Sequence, residues 1–98
     1  MEKIIWLESA NRDLIDIYNY IIRDSKYYSL KTVNDIISLT DNLKVLPHIG
    51  RIVPEYPDKS RRELIYKSYR IIYEIQSNII IIHRIYHSAR LLSKELIF

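Results

Sequence analysis

Three runs of isoleucine and tyrosine follow one another almost without interruption: Arg61 to Tyr66, Tyr69 to Ile75 and Ile79 to Tyr86. The gaps between them, Lys67-Ser68 and Gln76-Ser77-Asn78, have the length of hairpin turns, so the C-terminal half reads as a three-stranded antiparallel meander. A two-residue turn at Lys67-Ser68 sets Tyr66 opposite Tyr69, and one at Ser77-Asn78 sets Gln76 opposite Ile79. Directly opposed residues share a face, so the pleat then sorts every side chain. One face collects Leu64, Tyr66, Tyr69, Ile71, Tyr73, Ile75, Ile80, Ile82, Arg84 and Tyr86, the better core. The other carries Arg61, Glu63, Ile65, Arg70, Ile72, Glu74, His83, Ile85 and His87, and is expected to stay open, with Arg70 diagonal to His87.

The N-terminal half has a different period. Lys3 to Leu7 is a short β-favouring run, with Ser9 as a candidate helix cap. Ala10, Leu14, Ile17, Tyr18, Ile21 and Ile22 recur at helical steps up to Asp24-Ser25. Leu30, Val33, Ile36, Ile37, Thr40, Leu43 and Leu46 repeat the pattern up to Pro47. The two make a helical hairpin joined through Ser25 to Tyr28. Pro47 stops the second helix, and Gly50, the only glycine, is expected to take positive φ. Arg51 to Ser60 reads as an extended polar loop, and Ser88 to Phe98 as a short helix or packed extension. The expected fold is α+β: a single domain over residues 1–98, with an N-terminal strand and helical hairpin packed on an antiparallel meander.

Ninety-eight residues, 48% of them hydrophobic, suffice for one small core. The absence of cysteine removes disulfides and thiolate metal sites and fits a reducing interior. With no secretory leader pattern and no membrane-length apolar run, the expectation is a soluble cytoplasmic protein without a membrane partner. The net charge of +3 is unevenly spread. Most of the basic excess lies beyond residue 50 and is arginine, at positions 51, 61, 62, 70, 84 and 90. The planar guanidinium fork suits either phosphate oxygens or carboxylates.

Several stretches, taken in order, resemble the RelE/ParE superfamily of bacterial and archaeal toxins. They are Ala10, Asp13-Leu14, Ile17, Tyr20-Ile21 and Asp24-Ser25 in the first helix, then LPHIGRIVPE (Leu46 to Glu55), RREL (Arg61 to Leu64), YRIIYEI (Tyr69 to Ile75) and RIYHSARLL (Arg84 to Leu92). The resemblance covers nearly the whole chain. It implies the toxin of a type II toxin–antitoxin, plasmid-stabilising pair, silenced by a cognate antitoxin. A basic sheet predicts that this partner is acidic and amphipathic. In the RelE-like branch the toxin cuts mRNA on the ribosome, using the RNA's own 2′-hydroxyl. In the ParE-like branch the same fold poisons DNA gyrase with no known bond-breaking of its own.

Internal cleavage of RNA needs a base, a cation at the phosphorane-like transition state, and an acid for the leaving 5′-oxygen. Against RelE-like members that use a Glu, an Arg on the middle strand and a His closing the last one, the matching positions are Glu55, Arg70 and His87. Arg51, Arg62 and Arg90 are the candidate substrate-binding cations. The main expectation is therefore an mRNA endoribonuclease, with gyrase binding as the alternative and no cofactor or metal in either. Two departures weigh against the nuclease: Ser88 stands where such members often carry Tyr, and only Lys59 lies between Arg51 and Arg61. Each residue also has a plain structural reading. Arg70 pairs with Glu63 or Glu74, His87 caps a helix or bonds a carbonyl, Glu55 is solvated, His48 belongs to the turn and His83 is packed. A zinc site from His83 and His87 lacks a third ligand.

Overall fold

The protein's structure, a computed structural model, describes residues 3–56 and 60–87. Arg90 and the expected tail element over Ser88 to Phe98 lie outside the described residues. The elements are β1 (Lys3–Trp6), α1 (Glu8–Ile21), α2 (Lys26–Asp41), a 3₁₀ turn at Asn42–Lys44, β2 (Arg51–Ile52), β3 (Arg62–Tyr66), β4 (Tyr69–Gln76) and β5 (Ile79–His87). The strands form one sheet in the order β1-β5-β4-β3-β2. The meander is antiparallel as expected, but β1 adds in parallel beside β5, and β2, inside the stretch expected to be loop, pairs with β3.

Both helices start earlier than expected. Leu7, with no side-chain cap, precedes α1, and Ser9 instead donates its hydroxyl to the His83 carbonyl at 2.8 Å. Ser25 caps α2, its Oγ accepting from the Tyr28 N–H at 3.1 Å, so the expected connection is mostly the first helical turn. The face α2 buries is small and polar. Ser29, Thr32, Ile36 and Thr40 are buried, and Ser29 donates to the Tyr18 carbonyl at 2.8 Å, drawing the hairpin together.

The main core lies between helices and sheet: Ala10, Ile17, Ile36, Leu43, Ile71, Tyr73, Ile80, Ile82 and Ile85. Ile85 in that set marks the principal correction to the expected register. The β3–β4 hairpin pairs as expected, Tyr66 opposite Tyr69 and Leu64 opposite Ile71. The β4–β5 hairpin does so only from Gln76↔Ile79 to Tyr73↔Ile82; then Ile72 meets Arg84, and His83 is the extra residue of a bulge. Beyond a bulge the side-chain parity reverses. Ile85 therefore enters the core in place of Arg84, and Tyr86 crosses to the far face opposite Arg70. Arg84, freed from the core side, reaches Asp13 of α1 through Nε at 2.7 Å and its terminal nitrogen at 3.1 Å.

The far face is not open either. Val53, Tyr56, Ile72 and Tyr86 form a second small apolar cluster there, so the loop after β2 is a lid over part of the sheet. Gly50 anchors the entry to that loop, though not by positive φ, which no glycine here adopts. A Cβ on Gly50 would lie 2.6 Å from the ring edge and hydroxyl of Tyr73 and 2.7 Å from the Glu63 carbonyl. The glycine is required by close approach. Gly50→Ala is expected to lower stability by about 1–3 kcal/mol through overpacking, read from the urea midpoint.

Candidate functional site

Arg70, on β4, is buried, and two carboxylates occupy it. Its Nε donates to Glu63 Oε1 at 2.5 Å, and its two terminal nitrogens donate to Glu55 Oε2 and Oε1 at 2.8 and 2.9 Å. The backbone explains each contact. Glu63 lies two residues from Ile65, the partner of Arg70 on the neighbouring strand, and so shares its face, and Glu55 is carried back by the loop after β2. The other Glu63 oxygen accepts from Arg51 Nε at 2.5 Å, as the Arg51↔Glu63 pairing dictates. Two guanidinium and two carboxylate groups thus form a chain, Arg51–Glu63–Arg70–Glu55, whose formal charges cancel. The hydrogen bonds that Arg70 donates to Glu55, and then the one to Glu63, push its pKa above the ordinary guanidinium value against the opposing effect of burial. Glu63, expected to be a solvated surface carboxylate, has a fully buried side chain.

His87 is not part of this group. It pairs with Tyr69, whereas Arg70 pairs with Tyr86, so His87 and Arg70 project from opposite faces of the sheet. The expected juxtaposition depended on an unbroken register, and the bulge at His83 removes it. His87 stands edge-on to the Tyr69 ring, centroids 5.9 Å apart. It lines a groove of about 620 Å³ with Ile17, Tyr20, Ile21, Thr32 and Tyr69.

Among the candidate binding cations, Arg62 holds the loop before β2, donating to the Gly50 carbonyl at 2.8 Å and the His48 carbonyl at 3.4 Å. Arg51 keeps its side chain largely exposed while bonding Glu63. His83 and His87, which the sequence left short of a third zinc ligand, are separated: His83 bonds Glu74 through Nε2 at 2.8 Å, and His87 is on the groove side. Among the described residues, no three His, Asp or Glu side chains are grouped to hold a metal ion.

His83, Glu74 and Arg61 form a half-buried triad, with Arg61 3.0 Å from the same Glu74 oxygen. Burial lowers the His83 pKa below 6.5, with Arg61 adding to the effect and Glu74 opposing it. A histidine with a depressed folded-state pKa binds fewer protons than in the unfolded chain. Its contribution is therefore intact above pH 6.5 and is lost as pH falls through the folded value. The urea midpoint is expected to fall between pH 7.5 and 5.5, and His83→Gln to flatten that slope; an equal slope in both proteins rejects the assignment.

Sequence reasoning named Glu63 as one of two structural partners for Arg70, without its burial or its bond to Arg51, and missed Asp13 as an anchor. For Asp13, 71 residues from Arg84, the sequence carries no signal.

The sequence profile described as the ParE toxin of type II toxin-antitoxin system, parDE, matches residues 4–92. No curated protein matches the sequence. Among solved structures, the chain is similar to one from the chromosomal ParDE system of P. aeruginosa, with 26% identity and a TM-score of 0.75 over 89% of this chain and 96% of that one. It is also similar to a chain of the RelBE2 toxin–antitoxin complex of Mycobacterium tuberculosis, with 17% identity and a TM-score of 0.64 over 87% and 95%. A chain of the RelB–RelE complex of Methanococcus jannaschii gives 18% identity and 0.57 over 87% and 91%. The last two likenesses are of fold alone. No helix among the described residues is long and apolar enough to cross a membrane.

Proposed function

Because this chain belongs to the ParE toxin family of type II toxin–antitoxin systems, parDE, we propose that it arrests growth by binding DNA gyrase, breaking no bond itself. The observation that carries this choice over mRNA cleavage is the occupancy of Arg70. A cation that stabilises a phosphorane must present N–H groups and positive charge to the phosphate; Glu55 and Glu63 take three of Arg70's five N–H donors and offset its charge. His87, the expected acid, is across the sheet from it. The P. aeruginosa ParDE chain, at 26% identity, supports the same branch. The partner that silences the toxin is an antitoxin, and the groove lined by Ile17, Tyr20, Ile21 and Tyr69 suits an amphipathic segment that folds on binding.

His87→Gln, at an exposed side chain, is expected to leave growth inhibition unchanged. The test is induction of wild type and His87→Gln in cells, following transcript integrity and plasmid supercoiling together. Intact messages with relaxed or cleaved DNA, equal for both proteins, support the binding reading. Transcripts cut by the wild type and spared by His87→Gln overturn it.

A further inference from the structure

The turn between α2 and β2 combines two properties that rarely occur together in a loop: its side chains are apolar and exposed, and its backbone is tied down at nearly every residue. Val45, Leu46 and Ile49 are 75%, 48% and 58% exposed, and Ile52 continues the patch at 41%. Val45, Leu46, Pro47, His48 and Ile49 surround an open hollow of about 320 Å³, large enough for one or two side chains. Beneath them, the Val45 and Leu46 N–H groups donate to the Asn42 carbonyl, and the Ile49 N–H to that of Leu46. Tyr73 Oη donates to the Pro47 carbonyl at 2.7 Å and accepts from the Gly50 N–H at 3.0 Å. Arg62 holds the His48 and Gly50 carbonyls from the outer side.

Exposed aliphatic side chains cost solubility, and a folded chain keeps them on a rigid support where rigidity is useful, as anchors that pay little ordering entropy on binding. The surroundings indicate what receives them. Residues 42–54, NLKVLPHIGRIVP, contain Lys44, His48 and Arg51 and no carboxylate, with Asp41 just before them and Glu55 just after. Arg51 is paired with the buried Glu63, so the cations beside the patch are Lys44 and Arg62, the latter on β3 opposite Ile52.

We propose that this crest, Val45 to Ile49 with Ile52, is the surface by which the toxin docks on its protein target, inserting into a preformed apolar pocket rimmed by Asp and Glu. The proposal rests on the gyrase-binding reading for the identity of that target. A preformed pocket is favoured over a segment that folds on binding because the crest offers anchors, and the groove near Tyr69, which shares no lining residue with the crest, offers the channel such a segment needs.

The experiment compares wild type, Val45→Asp/Ile49→Asp, Val45→Gln/Ile49→Gln and Lys44→Glu, with Tyr27→Asp/Tyr28→Asp as a control for exposed apolar groups elsewhere. Thermal melts, affinity for purified DNA gyrase and growth inhibition on induction are measured for each. Both double crest variants are expected to melt like the wild type, to lose at least about tenfold in affinity, and to lose growth inhibition. Lys44→Glu is expected to weaken binding several-fold, and the tyrosine control to retain it. Crest variants that fold and bind like the wild type overturn the inference while the gyrase reading stands. If the wild type itself does not bind gyrase, that reading fails, and growth inhibition then decides the crest alone: toxicity retained by the folded Gln variant overturns it, and toxicity lost supports it.

Discussion

Glu63→Ala is expected to destabilise the purified chain by about 3–5 kcal/mol, the cost of removing one partner from a buried ion pair. The carboxylate is fully buried and bonds both Arg51 and Arg70. Its loss leaves the buried Arg70 guanidinium with Glu55 alone, and removes the side-chain acceptor that ties Arg51 of the outermost strand to β3. Glu63→Gln keeps one acceptor and most of the shape, so its cost should fall between wild type and alanine. Urea denaturation with both probes of tertiary and secondary structure is the measurement; an alanine penalty under about 1 kcal/mol, the size of an exposed ion pair, would show that the cluster is solvated. The same network bears on function, because an Arg70 that is needed to hold the lid is a poor candidate for a catalytic cation.

Asp13→Ala carries the second large effect, about 2–4 kcal/mol, discounted from the fully buried case because the Arg84 side chain is one-third exposed. One carboxylate here satisfies three donors: two from the Arg84 guanidinium and the Ile85 N–H at 2.8 Å. That N–H lies two residues beyond the bulge, and Asp13 is its acceptor. With Ser9 bonding the His83 carbonyl, α1 thus bonds backbone groups at the bulge and just beyond it. Amide exchange at Ile85 should accelerate well beyond the global change in Asp13→Ala. Equal acceleration across β5 would mean that Asp13 contributes only general stability and does not fix the bulge.

These two carboxylates show how far sequence reading reaches. Period and turn length determined the element types, the antiparallel meander, the β3–β4 register and most of the apolar core, since each depends on residues a few positions apart. The family resemblance supplied Glu55, Arg70 and His87 together; the structure joins the first two in an ion pair and sets the third on the opposite face. Parity along β5 could not be obtained by extending a hairpin rule, because a single extra residue reverses every side chain beyond it.

Local order is written in the chain: helices from a 3.6 period, strands from alternation, turns from the residues between them. Which face each charged group finally occupies is settled by packing between elements. Ile85 gains more by burial than Arg84, the strand yields one residue at His83 to exchange them, and Asp13, 71 positions away along the chain, makes that exchange affordable by receiving both the displaced guanidinium and the Ile85 N–H. A long-range acceptor of that kind leaves no periodic trace, so Arg70 and His87 part company only once the chain has folded.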